Sequence, residues 1–183
     1  MHMALHTQPW TLEMLHRLPD DGNKYELVRG ELLVTPPPTG EHEDMVAALA
    51  ELLVPYARAQ HLGRVYQPRA VVRARGSEVE PDLFIRAQVP RLGNDWQKAP
   101  VPILVVEVLS PSTRRRDFGQ KREFYSDIGI PEYWVVDPEK RTVHVIAPGD
   151  EPRIVSDVLR WHPTGASEPL DVDLRALFGE AGM

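Results

Sequence analysis

Ile103-Leu104-Val105-Val106-Glu107-Val108-Leu109 is the stretch on which the fold turns. It is apolar on both faces of a strand except at Glu107, Pro100 and Pro102 bracket its start, and Ser110-Pro111-Ser112-Thr113 ends it. Such a run predicts a central strand covered on both sides. The neighbouring sequence supplies the cover. Upstream, two-residue alternation over Arg64 to Arg75 and Val79 to Arg86, about a turn at Gly76-Ser77, predicts a hairpin whose second strand carries Glu80-Pro81-Asp82. Downstream, Asp117 is placed to cap a helix running to about Asp127, which Gly129 and Pro131 stop. Glu132 to Asp137 then reads as a second central strand and Arg141 to Ile146 as its outer partner.

Further out, Thr11 caps a short helix through Leu18, and Lys24 to Val28 and Glu31 to Thr35 flank a tight turn at Arg29-Gly30. Val46, Leu49, Leu52, Leu53 and Tyr56 recur at helical spacing, predicting a long helix over Glu41 to His61 with a kink at Pro55. The tail offers short strands and a terminal helix near Val172 to Phe178. The middle of the chain therefore runs helix, strand, strand, strand, helix, strand. This order predicts an α/β sandwich with a mixed sheet, its core over about 41–138 of a single domain spanning 1–183, plus an N-terminal hairpin and C-terminal strands.

Composition narrows the function. The 183 residues are 42% hydrophobic and 26% charged, which suits one globular domain. The longest apolar runs fall far short of the roughly 20 residues that span a bilayer. With no signal-like N-terminus, a cytoplasmic location is expected. The absence of cysteine excludes disulfides, zinc-thiolate sites and thiol nucleophiles. A formal charge of −6 argues against a broad basic surface that coats nucleic acid, but it accommodates a carboxylate-built metal site beside a small basic patch. Of the histidines only His2 and His6 are four apart, and no glycine-rich phosphate loop or G-x-S-x-G elbow is present.

An ionised carboxylate inside an apolar strand is unfavourable by several kcal/mol without compensation, so Glu107 needs a partner. By alternation Asp82 shares a face with Phe84 and Arg86, and Glu107 shares one with Val105 and Leu109. If the two strands are neighbours, both acids converge on one divalent cation, and all-oxygen ligation suits Mg2+ or Mn2+. Either acid alone serves equally well as half of a structural ion pair. Lys121, close in helical spacing to Phe118, Phe124 and Tyr125, lies beside the apolar face of its helix, where it either snorkels outward or serves a buried site. Arg114, Arg115 and Arg116 form the one dense basic run. It is either a solvated loop or, at the end of the Glu107 strand, a contact for a nucleic-acid backbone.

Taken in order, Tyr25-Glu26-Leu27-Val28-Arg29-Gly30-Glu31, His42, Glu80-Pro81-Asp82, the run Val106 to Thr113, Asp117, Lys121, Tyr125 and the run Gly129 to Pro138 resemble the family of restriction endonucleases called Uma-two. The resemblance implies a PD-(D/E)XK nuclease fold in which Asp82 is the motif aspartate, Glu107 the second acid and Lys121 a lysine moved from the strand to the following helix. The usual lysine position is Leu109 in this chain. The same resemblance points to Glu26 and His42 as residues that contact metal or water across the cleft. The expected activity is magnesium-dependent hydrolysis of phosphodiester bonds in double-stranded DNA, with a homodimer expected by analogy. The alternatives are a nuclease-fold protein that binds nucleic acid or protein without cutting, and a phosphodiesterase for small molecules.

Overall fold

A computed structural model describes residues 8–89, 93 and 95–183. His2 and His6 lie outside the described residues. The chain opens with the short helix α1 (Leu12–Leu15), capped by the Thr11 side chain, and the hairpin β1 (Lys24–Val28) and β2 (Glu31–Thr35). Arg29 and Gly30 both take positive φ at the turn, which permits a two-residue connection. The long helix α2 (Gly40–Ala59) follows, capped by the Thr39 hydroxyl, which accepts from His42 N–H. It continues through Pro55.

Four short strands come next: β3 (Arg64–Tyr66), β4 (Val72–Ala74), β5 (Ser77–Val79) and β6 (Leu83–Arg86). The sequence predicts one long hairpin here, and the structure corrects it. β4 and β5 join the first hairpin in a four-stranded sheet of order β2-β1-β5-β4, while β3 and β6 pair with each other in a larger sheet. A turn at Pro68-Arg69, closed by the Ala70 N–H to the Gln67 carbonyl, separates β3 from β4. Asp82 consequently lies on the segment that passes from one sheet to the other.

Beyond a 3-10 turn at Trp96–Lys98 runs β7 (Leu104–Val108), the strand built from the opening stretch. Then come α3 (Arg114–Arg116), a π-helical turn over Asp117–Lys121, α4 (Arg122–Asp127), β8 (Tyr133–Asp137), β9 (Thr142–Ile146) and β10 (Arg153–Val155). The larger sheet has the order β10-β9-β8-β7-β6-β3, with β7 and β8 parallel and the other neighbours antiparallel, the mixed sheet expected. β11 (Val158–Trp161) and β12 (Leu170–Asp173) form a small ribbon, and α5 (Leu174–Glu180) closes the chain. Val172 belongs to β12 rather than to the final helix, which Asp173 caps.

Alternation along the central strands sorts their side chains between two apolar layers. Leu104, Val106 and Val108 of β7 and Leu83 and Ile85 of β6 pack against Met45, Leu49 and Leu53 of α2 and Phe178 of α5. Val105 and Phe84 face the other way, towards Val28, Val72 and Val79 of the smaller sheet and Phe124 and Tyr125 of α4. Glu107 has the parity of Val105, and Asp82 that of Phe84, so both acids enter this second layer.

Candidate active site

The β6–β7 register pairs Phe84 with Val105 and Leu83 with Val106, and carried one step further it sets Asp82 opposite Glu107. The strand adjacency on which the expected convergence depends is therefore present. Asp82 Oδ2 accepts from the backbone N–H of Val108 at 2.8 Å and lies 3.2 Å from His42 Nε2, which reaches down from the first turn of α2. Asp82 Oδ1 lies 3.4 Å from Lys24 Nζ. Glu107 Oε1 accepts from Lys121 Nζ at 2.9 Å and from the Tyr125 hydroxyl at 2.6 Å.

Lys121 comes from the π-helical turn, and its side chain is 3% exposed. The wider turn brings Asp117 and Lys121 into the interior together, an irregularity often found at functional sites. Lys121 Nζ pairs with Glu26 Oε1 at 2.9 Å as well as with Glu107, and lies 3.9 Å from Asp117 Oδ1. Glu26, on β1, also accepts from the backbone N–H of Glu80 at 2.8 Å. It thereby ties the smaller sheet to the segment that carries Asp82. Neither carboxylate oxygen of Asp117 has a hydrogen-bond partner.

Glu26, Asp82, Glu107 and Asp117 are all buried. These four carboxylates face the ammonium groups of Lys24 and Lys121 and the imidazole of His42, so the cluster is crowded with acids. The strain appears in their acidities. Burial pushes the Glu107 carboxyl up to about 8, against the pull of Lys121 and with help from Asp82 and Asp117. Burial likewise raises Asp117. It also opposes ionisation of Asp82, yet Lys24, His42 and the Val108 N–H together hold that carboxyl well below the usual range. Burial works against charge on Lys121 and His42 too, but Glu107, Glu26 and Asp117 carry Lys121 well above its ordinary value, and the contact with Asp82 raises His42.

The five residues singled out for catalysis form two side-chain groups, Asp82 and His42 with Lys24, and Glu107, Lys121 and Glu26, bridged by the Glu80 backbone, whose N–H donates to Glu26 and whose carbonyl accepts from Lys24. Two corrections apply. Asp117 is not an N-cap: α3 begins three residues earlier, and the Asp117 carboxylate is buried beside Lys121. The arginine run is helical rather than a loop, and it divides. Arg114 donates to Asp137 at 2.7 Å, Arg116 donates to the Val34 carbonyl at 2.7 Å, and Arg115 is exposed. Lys24 escaped notice in the sequence. Its one local signal is that it shares a strand face with Glu26, two residues away.

The chain matches the family described as "Putative restriction endonuclease" (Uma2) over residues 12–171. Among solved structures it resembles a "putative nuclease belonging to DUF820" from Anabaena variabilis, with a TM-score of 0.78 and 24% identity over 94% of this chain and 99% of that one. At that identity the likeness shows a shared fold. No curated protein matches.

Proposed function

Because the chain belongs to the Uma2 family of restriction-endonuclease description, we propose that the buried cluster around Glu107 is the active site of a magnesium- or manganese-dependent endonuclease acting on double-stranded DNA. The observation that carries this reading is the β6–β7 register, which sets Asp82 opposite Glu107 in a buried acidic cluster beside Lys24 and Lys121. Two carboxylates with water completing the shell are an all-oxygen donor set that magnesium and manganese accept. Asp82 and Glu107, opposed across β6 and β7, would hold the ion. When bound, it supplies Lewis-acid polarisation of the phosphoryl group.

The remaining side chains have distinct tasks. Hydrolysis adds a water oxygen to phosphorus, breaks one ester P–O bond and delivers a proton to the leaving oxygen. Lys121 is held protonated by its acidic neighbours, so it acts as a fixed positive charge beside the reacting phosphate rather than as a base. Glu26 fixes the position of Lys121, His42 orients Asp82, and the Tyr125 hydroxyl orients Glu107. Lys24, the more exposed of the two lysines, offers a second cation to the phosphate. Arg115 is free to contact the nucleic-acid backbone, while Arg114 and Arg116 anchor the start of the helix that presents it. A pair of chains supplies one site per strand of a duplex, so a homodimer forms part of the proposal.

Plasmid nicking with magnesium or manganese tests the assignment, comparing the wild type with Asp82→Ala and Lys121→Ala. Activity is expected in the wild type alone. Equal activity in all three proteins refutes it, and a wild type that neither nicks nor binds either ion in calorimetry is a binding module instead.

A further inference from the structure

Arg86 lies on the same face of β6 as Asp82, four residues on and so about 13 Å along the strand. It is 2% exposed. Its guanidinium carbon stands 4.4 Å from the ring centroid of Tyr66, 4.9 Å from that of Trp96 and 5.7 Å from that of Phe84. Among the described residues no carboxylate pairs with it, and its Nε is buried without a hydrogen-bond partner. Aromatic faces offset part of the desolvation of a guanidinium, but they leave the N–H groups at its edge unsatisfied.

A cavity of about 250 Å³ opens beside this group, walled by Val72, Trp96, Pro100, Pro102 and Ile128 among others. Among the described residues three arginines line it, Arg73, Arg75 and Arg86, and no acidic residue does, in a chain whose formal charge is −6. Arg73 is neutralised by Glu78. Arg86 at the wall and exposed Arg75 at the turn beside it remain uncommitted among the described residues. Two guanidinium groups suit an anion of charge near −2, such as a phosphate monoester, better than a single carboxylate. The apolar walls suit the sugar and base that accompany it.

We propose that this cavity is a phosphate-binding subsite that takes a terminal phosphate, carried either by a mononucleotide or by the end of a nucleic-acid strand, with Arg86 as its buried fork and Arg75 as its outer clamp. Only the strand-end form rests on the nuclease reading.

The test is calorimetry on the full chain in chelator, where the carboxylate cluster lacks divalent metal. The probes are a 5′-mononucleotide, a 5′-phosphorylated dinucleotide and the same dinucleotide with a 5′-hydroxyl. The phosphorylated dinucleotide is expected to bind at least about tenfold more tightly than its hydroxyl counterpart. Arg86→Lys, which keeps the charge but loses the planar fork, should remove most of that preference, and Arg75→Ala should weaken it at least about threefold. A mononucleotide that binds as well as the dinucleotide assigns the site to free nucleotides, and a tighter dinucleotide assigns it to strand ends. Equal binding of phosphorylated and hydroxyl probes overturns the proposal, as does wild-type affinity in both variants. If Arg86→Lys misfolds by circular dichroism, the exposed Arg75→Ala decides the matter alone. Nicking is read separately, so a protein that cuts but ignores the phosphate refutes the subsite and spares the nuclease reading.

Discussion

Replacing Lys121 by methionine removes the one ammonium group that touches both Glu107 and Glu26 and leaves a chain of similar length in its place. Lys121 is buried, and so are the acids it serves. Breaking a buried ion pair from one side costs about 3–5 kcal/mol, because the surviving charge stays out of water. For a domain of this size each kcal/mol lowers the melting temperature by about 2–4 °C, so the variant should melt about 6–20 °C below the wild type. Proton uptake limits the loss. Glu107 already titrates near 8, and without Lys121 it rises further, exchanging an isolated charge for a neutral carboxyl. Lys121→Met/Glu107→Gln should therefore recover about 1–3 kcal/mol relative to the single variant, since one of the two orphaned carboxyls is gone, Glu26 remaining, and Gln still offers an oxygen to Tyr125. Urea unfolding in chelator, followed by tryptophan fluorescence, measures both effects, with the exposed Lys140→Met as control. A Lys121→Met midpoint equal to that of the control, or a double variant no more stable than the single, would refute the reasoning.

Three further outcomes are expected. Tyr125→Phe removes the 2.6 Å hydrogen bond to Glu107 and should cost about 1–3 kcal/mol in urea unfolding while slowing plasmid nicking, because Glu107 loses a group that orients it. Trp134→Ala empties a fully buried site against Trp161 and should destabilise by about 3–5 kcal/mol in the same assay. Glu132 is raised by burial against the hydrogen bond from Trp134, so its native pKa exceeds its unfolded one. Below the unfolded value both states are protonated and Glu132→Gln should change little. As pH rises through the native value the wild type loses stability that the variant keeps, so thermal melts should show a larger advantage for Glu132→Gln at about pH 7 than at about pH 4.

Local signals carried much of the architecture. The β1–β2 hairpin follows from Arg29-Gly30, β7 from its apolar run, and the facing of Asp82 and Glu107 from parity once the two strands are adjacent. The errors arose where a local pattern has two three-dimensional meanings. Reading Arg64 to Arg75 as one strand passes over the turn at Pro68-Arg69, where the Ala70 N–H donates to the Gln67 carbonyl and the chain leaves one sheet for the other. Asp117 reads as a cap because a cap and a buried acid differ only in what stands opposite, here the side chain of Lys121. Lys24 reaches an acid 58 residues away, a distance over which no periodicity operates. The arginine run resembles a solvated stretch because its partners, Asp137 and the Val34 carbonyl, belong to strands remote in sequence.

The passage of the chain between sheets at Glu80 to Asp82 has a mechanical consequence. Lys24 and Glu26 ride on the smaller sheet, Glu107 on the larger, Lys121 on a helical turn and His42 on another helix, so no single layer holds a working set. The cluster is in effect a hinge pin that exists only while the leaves are shut. Partial opening of the small sheet disperses the site while the core around Trp134 stays folded, so on gentle heating activity should fade before far-UV circular dichroism reports global unfolding.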